Sequence, residues 1–170
     1  MTSPSGPNPQ ARWVMLPRGA ELSEPCVPAK GRVVLDTNIV LDLFVFEDAA
    51  TAPLRAGLEA GTLSWYATQA MRDELARVLA YPQIVRRLCF YARSAAQVLA
   101  EFDRHVQTIE TAAKAPWTCK DGDDQKFIDL AVALGRCTLL SKDQAVLCMR
   151  RRLAAADVIV GSVWVDASAA

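Results

Sequence analysis

The segment RVVLDTNIVLDLF, residues 32–44, decides the fold. Val33, Val34 and Leu35 make an apolar run that stops at Asp36, the pattern of a buried strand, and the apolar stretch from Ile39 to Phe46 reads as the helix that follows it. Working outward, Leu63 to Ala67 reads as a second strand. Thr68 is placed to cap a helix through Ala80, Pro82 opens another segment, and Ser94 with Gln97 has the capping-box spacing for a helix to about Val106. Gln107 to Thr111 is a third strand. Asp123 or Asp124 starts a helix bearing Phe127, Ile128, Leu130, Ala131 and Leu134, with Gly135 at its C-terminal stop. Thr138 to Ser141 is a strand, Gln144 to Ala154 a helix, and Val158 to Val160 or Val163 to Val165 a last short strand. Strands separated by helices require right-handed crossovers, and so a mostly parallel sheet covered on both faces: a three-layer α/β/α domain.

The chain has 170 residues, 52% of them hydrophobic, which suits one domain with a sizeable core. Six of the nine prolines fall in the first thirty residues, so residues 1–30 are expected to be an irregular Pro-rich extension, residues 31–166 the folded domain and residues 167–170 a tail. Trp13 and Met15 are candidates to dock the extension onto the domain or a second subunit. Nineteen basic residues balance nineteen acidic ones, so nucleic-acid binding has to come from local patches rather than net charge. Five cysteines without CxxC spacing and a single histidine argue against a disulfide framework or a structural zinc site. No apolar run reaches a membrane span and no apolar signal stretch stands at the N-terminus, so the expected location is the cytoplasm.

Acidic side chains recur where this architecture places ligands, beyond the carboxyl ends of the strands. Asp36 ends the first strand, Asp143 lies just past the strand Thr138 to Ser141, and Asp123 and Asp124 open the helix leading into it. Glu74 lies about 9 Å along its helix from Thr68, within reach of the same edge. Carboxylates converging there repel one another, and a divalent cation is the natural compensation; oxygen-only ligation selects Mg²⁺ or Mn²⁺. With His105 as the only histidine, a two-histidine ribonuclease site is excluded, and hydrolysis has to be metal-assisted.

These segments resemble the PIN-domain ribonucleases, in particular the branch assigned as toxins of bacterial toxin–antitoxin pairs. The likeness spans roughly Arg32 to Trp164. It rests on VVLDTNIVL with Asp36, Thr37 and Asn38, on RDELARVLAYP with Glu74, on CKDGDDQKFIDLAVALG with Asp123 and Asp124, and on LLSKDQAVL with Ser141 and Asp143. Gly122 stands where this branch often has Pro, Lys120 where it often has Arg, and Ser141 where Thr is common. The resemblance implies that Asp36, Glu74, Asp124 and Asp143 are the catalytic, metal-binding carboxylates, supported by Asn38, Asp123 and Ser141. It selects Asp124 over Asp123 because Asp124 precedes Gly135 by eleven residues, about the family's spacing. It further implies a metal-dependent endoribonuclease giving a 3′-hydroxyl and a 5′-phosphate, a homodimer, and an inhibitory antitoxin partner.

Plainer readings stand beside these. Asp36 by itself is an ordinary helix cap, Asp123 and Asp124 suit a helix N-terminus, and Glu74 suits a surface pair with Arg72 or Arg77. Asp121 and Asp129 read as surface or supporting residues, and His105 and the cysteines as packing or surface residues. Lys120, Lys126 and Lys142 lie beside the acidic motifs and are the RNA-binding candidates, single-stranded RNA being the expected substrate. A non-catalytic module binding RNA or protein is the alternative. A haloacid-type phosphatase is disfavoured because Asn38 stands where that chemistry needs a second acid. The apolar stretches Ile39 to Phe46 and Tyr81 to Tyr91 exceed what one small sheet covers, which points to self-association.

Overall fold

The computed structural model describes residues 31–166; residues 1–30 and 167–170, with Trp13, Met15 and Cys26, lie outside the described part. Five strands, β1 (Gly31–Leu35), β2 (Leu63–Ala67), β3 (Val106–Thr108), β4 (Cys137–Leu140) and β5 (Val158–Gly161), form one sheet of order β3-β2-β1-β4-β5. Every pairing is parallel. Val33, Val34 and Leu35 are all buried, and consecutive strand residues point to opposite faces, so the centre of the sheet is covered on both sides. The layers are α/β/α, as the sequence pattern requires.

Eight α-helices among the described residues supply the cover: α1 (Thr37–Phe44), α2 (Ala52–Glu59), α3 (Gln69–Leu79), α4 (Pro82–Phe90), α5 (Ala95–His105), α6 (Gln125–Leu134), α7 (Gln144–Leu147) and α8 (Arg150–Leu153). None is long and apolar enough to cross a membrane. Phe44 of α1 stacks on Trp65 of β2 with ring centroids 6.2 Å apart, and Trp65 meets Phe102 of α5 edge-on at 4.9 Å. This aromatic column ties α1 and α5 to the sheet. Arg72 of α3 grips Asp103 of α5 through two hydrogen bonds of 2.6 and 2.8 Å, a forked clamp on the outside.

Several expectations shift by a residue or two. The first helix begins at Thr37 rather than Ile39, with Asp36 at its N-cap. The third strand is Val106–Thr108 rather than Gln107 to Thr111, although the Ile109 N–H still reaches the Ala67 carbonyl at 3.0 Å. The Ser94–Gln97 capping box forms with both bonds, at 2.9 and 3.1 Å. The helix expected from Gln144 to Ala154 is broken. The Met149 N–H bonds back only three residues, to Val146, which tightens the chain and buries Met149; α8 then runs on, with Arg150 Nε bonded to the Val160 carbonyl of β5. The segment Ala49–Glu59, unassigned from the sequence, is a 3₁₀ turn capped by Asp48 followed by α2, whose buried residues are only Leu54 and Leu58.

The topology locates the crevice. The chain leaves β1 towards β2 and β3 on one side and returns to β4 and β5 on the other, so the winding reverses between β1 and β4. Ligand sites of open parallel sheets lie at that reversal, at the carboxyl ends of the strands. Leu35 is in register with Leu140, and the Asp36 N–H continues the ladder to the Leu140 carbonyl at 2.9 Å. Asp36 and Ser141 therefore emerge side by side at the reversal.

Candidate metal centre

Asp36 is 4% exposed and Ser141 fully buried, and the Ser141 hydroxyl donates to Asp36 Oδ2 at 2.6 Å. The Asp143 backbone N–H in turn donates to Ser141 Oγ at 3.0 Å. This short relay fixes the residue after β1 against the residues after β4. Burial pushes the Asp36 carboxyl pKa up; the Ser141 hydroxyl and the nearby N–H groups of Asn38 and Thr37 hold it down, and the charge of Glu74 adds to the rise. Asn38 itself is exposed, and what it offers Asp36 is its backbone.

Facing this pair, a 3₁₀ turn, Gly122–Asp124, leads into α6. Asp121 caps the turn, its Oδ1 accepting from the Asp123 N–H at 2.9 Å. Oxygen atoms of Asp121, Asp124 and Asp143 all lie within 4.8 Å of one another. Asp143 caps α7 with one oxygen, accepting from the Ala145 N–H at 2.8 Å. Asp124 Oδ2 is buried without a hydrogen-bond partner. Burial first, and then the charges of Asp36, Asp143 and Asp121, push the Asp124 pKa from an ordinary 3.8 to about 7, with Lys126 pulling the other way. Asp36 thus belongs electrostatically to the cluster although its atoms lie outside the tightest group.

Glu74 approaches from α3. Its Oε1 accepts from the Thr37 hydroxyl at 2.7 Å and its Oε2 pairs with Lys126 Nζ. The surface pairing with Arg72 or Arg77 does not form; Arg72 is engaged by Asp103. Asp123 is exposed and serves through its backbone, the carbonyl accepting from Lys126 Nζ at 2.5 Å. Of the three candidate lysines, Lys120 is exposed, Lys126 lies inside the acidic set, and Lys142 pairs with Asp42 and, at 3.6 Å, with Asp48.

Asp129 supports the site as the sequence suggests, whereas Asp121 lies closer to it than expected and Gln125 was not singled out. Asp121, taken as a surface or supporting residue, stands in the tightest carboxylate group. Gln125 and Asp129 pin the loop that delivers it: Gln125 accepts from the Cys119 N–H at 2.6 Å and donates to the Trp117 carbonyl and Asp129, while Asp129 accepts from the Ala115 N–H at 2.8 Å. The signal for Asp121 was available as an acid three residues before Asp124, the spacing of a cap to a short turn.

An all-parallel domain with acids at its winding reversal is one architecture on which divalent-metal sites are built. Residues 32–145 match the model of the PIN domain, and the chain belongs to that family. In fold it is similar to a chain of the VapBC2 complex from Rickettsia felis, solved bound to a DNA fragment from their promoter. The TM-score is 0.52 at 14% identity, with 76% of this chain and 97% of that one covered. No curated protein matches the sequence.

The raised Asp124 pKa has a measurable consequence for metal-free protein. Between about 7 and 3.8 the folded state holds a proton on Asp124 that the unfolded chain has lost, so stability rises as the pH falls through this window. Denaturant titrations in chelator should show that gain from about pH 8 to about pH 5. Asp124→Asn should be more stable than wild type at the upper end and flatter across the window; a variant less stable there would contradict the crowding.

Proposed function

We propose that this protein is a Mg²⁺- or Mn²⁺-dependent endoribonuclease that hydrolyses single-stranded RNA, acting as the toxin of a toxin–antitoxin pair. The observation that carries the reading is the buried, partnerless Asp124 Oδ2 among the charges of Asp36, Asp121 and Asp143. A donor set of carboxylate oxygens alone, short of one positive partner, fits a hard divalent cation. Asp36, Asp124 and Asp143 would hold it, with Asp121 beside them and Glu74 the fourth carboxylate of the catalytic set. Such a cation would offset two of these negative charges and supply Lewis-acid activation of the attacking water.

The chain's own residues do the positioning. Ser141 engages one oxygen of Asp36, so the carboxylate cannot rotate freely, and the Asp143 N–H holds Ser141 in turn. Lys120, exposed and next in sequence to Asp121, is our candidate to meet an RNA phosphate approaching this edge. Water attacks phosphorus as the bond to the 3′ oxygen breaks, leaving a 3′-hydroxyl and a 5′-phosphate. An unpaired strand can bend into a narrow crevice, which a stiff A-form duplex cannot do.

Two partners belong to the proposal. The VapBC2 neighbour is a complex of more than one protein, which supports an antitoxin partner for this chain. A second copy is supported by α4 and the residues flanking it, where Tyr81, Val85, Phe90 and Tyr91 are exposed, Phe90 at 78%. The stretch from Ile39 to Phe46 does not contribute, because Ile39, Val40, Leu41, Leu43, Phe44 and Val45 are buried within the domain. A non-catalytic binding module is the second reading, favoured by the occupation of Glu74 by Lys126. The cytoplasm is the location proposed for either activity.

Cleavage of a single-stranded RNA panel should require Mg²⁺ or Mn²⁺, vanish in chelator and fall at least about 10²-fold in Asp36→Asn or Asp143→Asn. Undiminished cleavage by both variants would assign the activity elsewhere, and Mn²⁺ binding without any cleavage would favour the binding module. Light scattering at micromolar concentration should give the mass of a dimer; a clean monomer removes the second copy and leaves the enzyme reading standing.

A further inference from the structure

Lys126 is the second residue of α6, where a positive charge meets the positive end of the helix dipole and is disfavoured. Its ammonium is nevertheless held on several sides. It pairs with Glu74 Oε2, bonds to the Asp123 carbonyl, and lies 4.9 Å from the centroid of the Phe127 ring. The two paired side chains retain only 26% and 21% of their exposure. A lysine on a solvated helix face has no such enclosure. With Thr37 on Oε1 and Lys126 on Oε2, both oxygens of Glu74 are taken. The remaining carboxylates, Asp121, Asp124 and Asp143, gather within 4.8 Å of one another with Asp124 Oδ2 lacking a partner.

The crevice is therefore divided into a side neutralised from within and a side left negative. We infer that Lys126 is a built-in counter-ion that competes with a divalent cation for the Glu74 side of the crevice and so limits how tightly the centre takes metal. The inference rests on the reading of the crevice as a cation site. It makes Lys126 a positioning residue for Glu74 rather than a contact for RNA phosphate. Without its partner, Glu74 adds a full negative charge to the crevice; a divalent ion then gains attraction while the metal-free fold gains repulsion.

The test is calorimetric titration of the full chain with Mn²⁺, paired with thermal melts in chelator. Lys126→Gln should bind Mn²⁺ at least about threefold more tightly than wild type, as the loss of one nearby positive charge requires. In chelator it should melt a few degrees lower, and saturating Mn²⁺ should restore the loss. Lys126→Arg, which keeps the charge, should stay within about twofold of wild type in affinity. Lys126→Met also removes the charge but keeps an apolar stem against the Phe127 ring, which keeps the test open if Lys126→Gln does not fold; it should likewise bind Mn²⁺ at least about threefold more tightly than wild type. Unchanged or weaker binding by Lys126→Gln, or by Lys126→Met where Lys126→Gln does not fold, overturns the inference while leaving the metal site standing. Absence of Mn²⁺ binding in every protein overturns the cation-site reading itself, and the inference with it.

Discussion

Mutual repulsion of carboxylates at the reversal between β1 and β4 is the constraint on which the rest of this structure turns. Asp36 is delivered there by a strand buried on both faces, Asp143 by the strand beside it, and Asp121 and Asp124 by a 3₁₀ turn anchored from below by Gln125 and Asp129. β1 and β4 are central in the sheet, and the Asp36–Ser141–Asp143 relay crosses between them. The protein holds like charges together at a cost to its metal-free stability, which is the usual signature of a site kept for binding or chemistry rather than for folding.

Much of this is legible in the residues because it depends on local signals. An apolar run ending in Asp, a capping box at Ser94, and a glycine closing α6 at a φ of +56° each mark an element boundary without tertiary information. Since parallel sheets place strand ends and following helix starts on one edge, boundaries alone bring Asp36, Asp124 and Asp143 to a common crevice. What escaped the sequence depends on three-dimensional partners. The pairing of Lys126 with Glu74 joins helices distant in the chain, and nothing near Lys126 distinguishes it from an ordinary first-turn residue. The Ala49–Glu59 segment has too little apolar periodicity to declare a helix, since Leu54 and Leu58 are its only buried apolar residues. The break between α7 and α8 follows from burying Met149 and reaching β5, a packing demand that no local pattern carries.

The chain belongs to the PIN domain family, and the carboxylates whose charges act on Asp124 all fall within the stretch that matches. The family match covers residues 32–145, which include β1 from Arg32 onward, β4, α6 and Asp36, Glu74, Asp124 and Asp143. The electrostatics add an asymmetry: Glu74 is ion-paired with Lys126, whereas Asp121, Asp124 and Asp143 have no ion pair among the described residues.

The central claim is that this negative side takes a divalent cation. Anomalous diffraction from crystals grown with Mn²⁺ tests it most directly, because it locates the ion without reference to activity. A Mn²⁺ peak is expected between Asp124 and Asp143, with Asp36 and Asp121 bordering it. Well-ordered acids with no peak between them, or a peak only at other surface carboxylates, would contradict it.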